Sequence, residues 1–506
     1  MYCWWHQKLK GYLILVMVVL NQCALVVSNS QKDLLSKVAK VRVFEDRNYE
    51  IKSCLSPELE SHERFTCRFF AIMIDAGSTG TRIHIFEFSH DTDHQAAPFK
   101  LEKESFEEVK PGLSSYQHQP SHALIGVERL LDKAKAVVPR NMWQHTPLSL
   151  KATAGLRLLP AADAEAILDE VEGLLKRSQF LTGDDPATLM SGTDEGIFAW
   201  FTLNFLLDRI DAVLQKPEAL QKTVNENLTS AALDLGGGST QVTFRPLQSF
   251  TLESAPDSFS KHITIFGQDV YLYTHSYLGN GLYAARLGIL QLNSGAGSRR
   301  TKLFTSCLPH DFSLKWTYNA SDFSIRGVKD YSYESCLSEV RTFVRQSGID
   351  SPPELSQRHI YAFSYFFDRA FQTGLIHSFD GGLVKISQFE DVAKTVCARS
   401  KHQFGTEHWH PWQCMDMTYI YSLLTDGYQI RPAKHIYLSK KLRGLETSWA
   451  LGASYYLLNT YHERRLAQSQ LSSDSYSSYA QTACFYFCSR VYYGVTTMLS
   501  YFQLLA

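Results

Sequence analysis

The spacing of apolar and polar residues divides this chain into stretches of different period. Ala71–Ile74 is a continuous apolar run, the mark of a buried strand, while Ile83–Phe88 alternates like a half-buried one. Between them stands Asp75, followed by the small and hydroxylated residues Ala76-Gly77-Ser78-Thr79-Gly80-Thr81. From Ser121 to Val138 the apolar positions recur at helical spacing. "LSLKATAGLRLLP", Leu148 to Pro160, predicts a strand and a turn. Asp163–Arg177 predicts an amphipathic helix with acids early and bases late, which complements the helix dipole. Met190–Leu207 predicts a loop entering a buried helix, and Ser230–Phe244 a strand, a glycine turn and a second strand.

Two of these patterns repeat. "AIMIDAGSTGTRIHIF" and "AALDLGGGSTQVTF" each run from an apolar strand to an Asp, through a small-residue turn containing Ser-Thr, into a returning strand. This is an internal repeat at domain scale. Glycines let each backbone curl tightly and leave no side chain between its N–H groups and a ligand. Successive N–H groups in such a turn form an anion-binding concavity. An Asp repels phosphate directly but holds a divalent cation, or the water around one, that bridges to phosphate. One copy reads equally well as an ordinary glycine hairpin. Two matched copies, each with its Asp, point to a phosphate site shared by two facing domains.

Composition adds limits. The chain of 506 residues is long enough for several domains, with 44% apolar and 20% charged residues and a formal net charge of −1. The basic residues are dispersed, so no nucleic-acid footprint exists. Lys8 and Lys10 precede the apolar segment Tyr12–Ser28, which reads as a signal peptide or, at about the 17-residue lower limit for a span, as an N-terminal anchor. Either route places the protein in the secretory pathway, secreted or lumenal. Of ten cysteines, the pairs Cys54/Cys67, Cys307/Cys336 and Cys397/Cys414 have separations suited to local disulfides, although spacing alone does not fix connectivity. No cysteine pair has zinc-site spacing, and His402, His408 and His410 form no standard ligand pattern. Asn227 and Asn319 stand in glycosylation sequons.

The segments "KATAGLRLLP", "SGTDEGIFAWFTLNFLL", "ALDLGGGSTQVTF", "YAFSYFFDRA" and "ETSWALGA", with the opening repeat, resemble the apyrase conserved regions of the ecto-nucleoside triphosphate diphosphohydrolase family. "VKPGLSSY", "LKATAGLRLLP" and "CMDMTYI" are similar to its secreted or lumenal branch, types 5 and 6. The resemblance covers about Phe69 to Tyr461 and implies an α/β protein of two ribonuclease-H-like domains, of the actin and hexokinase superfamily, with an inter-domain active-site cleft. The expected segments are residues 1–30 as signal or anchor, 31–68 as an arm, 69–190 with 445–461 as the first domain, 191–444 as the second, and 462–506 as an atypical tail. That tail includes an apolar stretch from Thr482, interrupted by Arg490.

The implied activity is Ca²⁺- or Mg²⁺-dependent hydrolysis of the terminal phosphate of nucleoside diphosphates such as UDP and GDP, with triphosphates weaker substrates. Asp75 and Asp234 would hold the hydrated cation, with Glu195 and Trp449 beside its waters. Ser78, Thr79, Gly80 and Thr81 would form the first phosphate loop, and Gly236, Gly237, Gly238 and Ser239 the second. Thr153, Ala154 and Arg157 would line the site. Glu195 would be the general base, and Ser239 and Gln241 would place the water. Tyr365, Phe366 and Phe367 are candidates for stacking the base, whereas Asp368 falls where plasma-membrane members carry a stacking tyrosine. Alone, Glu195 reads as an acid at a helix start; beside two phosphate turns it reads as the catalytic carboxylate. A non-catalytic nucleotide binder on the same scaffold is the rival reading, separated by Glu195, for which a binder has no use. A sugar kinase fits less well, since it lacks the "TDEG" and "ATAGLR" pair.

Overall fold

The computed structural model describes residues 68–89, 100–210, 229–265, 268–292, 301–352, 354–458 and 460. The N-terminal segment, the arm with Cys54 and Cys67, the Asn227 sequon and the 462–506 tail lie outside the described residues. Of the described residues, 68–70, 87–89 and 100–102 fall in one compact unit and the rest in the other. In the first, Arg68 pairs with Glu87 at 3.1 Å, Phe69 stacks on Phe88 at 5.5 Å, and Ser89 donates to Glu102 at 2.5 Å. The second contains the elements that position the site.

The repeat seen in the sequence is repeated in strand order. One sheet runs β3-β2-β1-β4-β5, formed by Lys100–Val109, Thr81–Ser89, Arg68–Ala76, Leu148–Ala152 and Ala187–Leu189. The larger runs β14-β15-β13-β6-β7-β9-β8, formed by Gly382–Lys385, His435–Leu438, Ile360–Ser364, Ala231–Leu235, Ser239–Phe244, Gln268–Leu278 and Ser260–Ile265. In each, the strand carrying the key Asp pairs with the strand that returns from its turn and, on its other side, in parallel with a later strand: β1 with β4, β6 with β13. Parallel strands need long crossovers, and helices supply them. Helices Ala123–Val137 and Ala161–Lys176 bury Val127, Leu130, Ile167 and Val171 in the core with Ile72, Ile74, Leu148 and Leu150. Both agree with the apolar spacing of their sequences to within two residues.

Helix Gly192–Leu206 is apolar almost all round, so it is buried almost all round. Ser191 caps it, accepting the Asp194 N–H at 3.0 Å. A three-stranded sheet of Lys302–Thr305, Ser313–Tyr318 and Ser321–Gly327 joins the second core. Asn319 and Ala320 turn its hairpin with positive φ at both positions, and the Asn319 Oδ1 is buried. Among the described residues, no helix is long and apolar enough to cross a membrane.

Two expected disulfides form, Cys307–Cys336 and Cys397–Cys414. They close loops of 29 and 17 residues. Chain entropy alone then gives each about 3–4 kcal/mol of stabilisation. We expect the Cys307→Ala/Cys336→Ala protein to lose stability on that scale in guanidinium unfolding; an unchanged midpoint would contradict it.

Candidate active site

The turns after Asp75 and Asp234 close identically. Gly77 N–H donates to Gly80 O at 3.0 Å, and Gly236 N–H to Ser239 O at 3.0 Å. Their tips meet: a Cβ on Gly237 would lie 2.2 Å from Ser78 Oγ, so any larger residue there would have to displace the Ser78 side chain. The second turn is backed by residues 279–284. Gly279 N–H donates to Gly238 O, Leu282 to Gly236 O, and Tyr283 and Ala284 to Gly237 O, at 2.8–3.0 Å. With its carbonyls held from behind, the turn has its polarity fixed. The first turn is packed against Gly112 and Gly155, where an added Cβ would lie 2.4 Å from Gly77 O and 2.7 Å from Ser78 Cα.

A cleft of about 840 Å³ opens at these turns, lined by Asp75, Ser78, Thr79, Thr153, Ala154, Glu195, Asp234, Gly236 to Ser239 and Trp449. Arg157 and Gln241 join it through hydrogen bonds. Gln241 Nε2 donates to Glu195 Oε2 at 3.0 Å, to Ser239 Oγ at 2.7 Å and to Ser276 Oγ at 3.0 Å. Arg157 pairs with the same Glu195 oxygen and donates to Ser239 Oγ at 3.4 Å. Glu195, Ser239, Gln241 and Arg157, taken from three separate segments, thus form one hydrogen-bonded group.

Four expected residues sit elsewhere, Gly80 first: the space where its Cβ would go is taken by Glu108 and Val109. Thr81 begins β2 with its side chain buried outside the cleft lining, because the turn has already closed at Gly80. Phe366 and Phe367 are fully buried in the core of the second sheet, so they offer no ring to a base. Tyr365, one position earlier, does line the cleft and donates to Thr79 Oγ1 at 3.3 Å. Helical geometry sends consecutive side chains to different faces, and only one of the three points outward. Asp368 also lines the cleft, paired with Lys440 at 3.2 Å.

Sequence reasoning missed several neighbours. Arg82 pairs with Asp75 at 3.4 Å and Glu108 at 2.8 Å. Buried His84 meets Glu104 at 2.7 Å, and Glu104 also accepts the Glu446 N–H at 2.8 Å. Asp416, within "CMDMTYI", binds both Arg286 and Arg369, and Arg286 lies over the Tyr283 and Trp412 rings. Apart from Arg82 and Asp75, these partners are distant in sequence, so no local pattern announces them. The glycines of Gly279-Asn280-Gly281 were visible as a turn signal, without a sign of what they support.

The site is short of positive charge. Burial pushes the Glu195 carboxyl up to about 8; Arg157 opposes this, and Asp234 and Asp75 add to it. Burial raises Asp234 to about 6, against a hydrogen bond from Ser364. Burial also raises Asp75, against the pull of Arg82. Asp75 Oδ1, Asp234 Oδ1 and Gln241 Oε1 are buried without a hydrogen-bond partner. Orphaned carboxylate and amide oxygens in a charge-deficient pocket are the donor set of a hard divalent cation, so these residues fit one.

Comparison with known proteins agrees with the geometry. The family model described as GDA1/CD39 (nucleoside phosphatase) matches residues 62–473. The chain is 42% identical over 455 residues to the nucleoside-diphosphatase uda-1 of Caenorhabditis elegans, covering 88% of this chain and 93% of that protein. It is 39% identical over 393 residues to the nucleoside diphosphate phosphatase ENTPD5 of Homo sapiens, covering 77% of this chain and 88% of that one. In fold it is similar to a nucleoside triphosphate hydrolase from Neospora caninum, with TM-score 0.55 and 15% identity over 85% of this chain and 98% of the other. The chain is therefore an enzyme of the GDA1/CD39 (nucleoside phosphatase) family.

Proposed function

We propose that the protein hydrolyses the terminal phosphate of nucleoside diphosphates, UDP and GDP above triphosphates, with Ca²⁺ or Mg²⁺ at the site. The observation that carries this reading is the meeting of the two Asp-led turns, with Glu195 in the same cleft. The relatives named as diphosphatases support the choice of substrate.

Asp75, Asp234 and Gln241 would hold the cation through its waters, with Trp449 packed alongside. When bound, it neutralises charge on the phosphate oxygens. The backbone N–H groups at Ser78–Gly80 and Gly237–Ser239 grip the phosphates, and Thr153, Ala154 and Arg157 line the terminal group. Ser239 and Gln241 orient a water in line with the phosphate. Arg157 and Gln241 both donate to Glu195 Oε2, which leaves Oε1 to take the proton of that water. The water oxygen then bonds to the terminal phosphorus as the bridging P–O bond breaks. Nucleoside monophosphate and orthophosphate leave. Little covalent chemistry is asked of the protein; positioning and charge stabilisation do the rest.

The reading extends to place and architecture. Residues 69–190 with 445–461 form one lobe and 191–444 the other. The N-terminal segment directs the chain into the secretory pathway, where its disulfides persist.

A phosphate-release panel over nucleoside di- and triphosphates, with Ca²⁺, with Mg²⁺ and with chelator, tests this. Diphosphates are expected to lead, and chelator to reduce release to background. Undiminished release in chelator would remove the cation from the mechanism, and no release from any nucleotide would remove the mechanism.

A further inference from the structure

We propose that Asp368, with Lys440 beside it, is a specificity-determining residue that selects the base of the nucleotide. The carboxylate accepts the ring N–H of uracil or guanine, and the ammonium donates to the adjoining carbonyl oxygen. The proposal rests on the reading of this cleft as a nucleoside diphosphate site. Helix Tyr365–Gln372 contributes one wall of the cleft. At the helix start, Tyr365 donates to Thr79 Oγ1 at 3.3 Å, which fixes this end beside the first phosphate turn. Residues three and seven positions on return to the same helix face, and Asp368 and Gln372 both line the cleft. At 1.5 Å of rise per residue they stand about 4.5 and 10.5 Å further along the helix axis. That stretch of wall is open to a nucleoside whose phosphates are held at the turns.

Two features of the stretch suit a base. Phe379 lines the cleft, is 61% exposed, and packs on Phe371 of the same helix with ring centroids 4.5 Å apart. It offers an aromatic face for stacking. Asp368 Oδ1 accepts from Lys440 Nζ at 3.2 Å, and among the described residues nothing donates to Oδ2. Both side chains are partly open to water, and an ion pair in that position adds little stability. What the pair does present to the cleft is an acceptor next to a donor, because a carboxylate only accepts and an ammonium only donates. Uracil and guanine carry a ring N–H next to a carbonyl, which matches that order. Adenine and cytosine carry an unprotonated ring nitrogen at the corresponding place, and its lone pair meets the carboxylate with repulsion.

The test uses the full-length protein and steady-state phosphate release from UDP, GDP, CDP and ADP. Wild type is expected to show kcat/KM about tenfold or more higher for UDP and GDP than for CDP and ADP, the scale on which directed hydrogen bonds discriminate base edges. N3-methyl-UDP, which lacks the ring N–H, is expected to fall to the level of CDP. Asp368→Asn offers a donor as well as an acceptor, so the preference for UDP over CDP is expected to drop about tenfold, through KM rather than kcat. Equal kcat/KM in wild type for UDP and CDP, or for UDP and N3-methyl-UDP, overturns this proposal and leaves the hydrolysis reading standing. A loss in Asp368→Asn that is uniform over the four nucleotides overturns it too, since a merely structural role acts on all of them alike. The N3-methyl-UDP arm uses wild-type protein alone and decides the matter even where the variant does not fold. No release from any nucleotide by wild type overturns the hydrolysis reading, and this proposal with it.

Discussion

Glu195→Gln is expected to bind nucleotide with little change and to lose phosphate release by about a hundredfold or more, the usual scale for removing a general base. The substitution keeps size and the hydrogen bond accepted from Gln241, but the amide cannot take a proton. Glu195 is suited to that task by its surroundings. It is 6% exposed and held by Arg157 and Gln241 at one oxygen. Burial and two neighbouring carboxylates raise its affinity for protons, which makes it a stronger base than a free carboxylate once it is ionised. The measurement is a pair: calorimetric binding of α,β-methylene-UDP, and steady-state phosphate release. Retained turnover in Glu195→Gln would transfer the base to another group. Loss of binding together with turnover would make Glu195 a structural member of the cluster instead.

Gly281→Ala is expected to be nearly as damaging, although Gly281 touches no substrate in the proposed mechanism. Its added Cβ would sit 2.3 Å from Ser239 N, 2.5 Å from Gly237 C and 2.5 Å from Gly238 N. All three are backbone atoms of the second phosphate turn, and no side-chain rotation relieves the contact. The turn must shift by a large part of an ångström, and misplacement on that scale costs about a hundredfold in rate. Gly279→Ala is the informative contrast. Gly279 has φ +86° and open space where its Cβ would go. That change costs stability, on the order of 1 kcal/mol, without driving the turn forward. Phosphate-release kinetics and melting curves on the two variants therefore dissociate. Should Gly281→Ala keep wild-type turnover, the second turn is not rigidly backed, and the account of how the site holds its shape is wrong.

These two glycines show how unevenly the site was legible. Gly237 could be read from the chain, because it lies inside a local pattern that occurs twice. Gly281 could not, because its importance comes from a turn more than forty residues earlier in the chain. The aromatics of "YAFSYFFD" make the same point on a smaller scale. Their composition suited core packing as well as base stacking, and helical rotation sends Phe366 and Phe367 into the core and leaves Tyr365 at the cleft.

By itself, the sequence determined what depends on neighbours within a few residues: strand and helix periodicity, the paired Asp-led glycine turns, the helix start before Glu195, and cysteine separations suited to local disulfides. Tertiary structure decided everything that requires distant segments to meet. It alone joins Arg157, Glu195, Ser239 and Gln241 into one group, leaves Asp75 and Asp234 each with an unsatisfied oxygen, and buries three carboxyl groups with too few cations to balance them. The reason is physical. Hydrogen-bond propensity and periodicity act along the chain, whereas desolvation and Coulomb interaction depend on which atoms surround a group once the chain has folded.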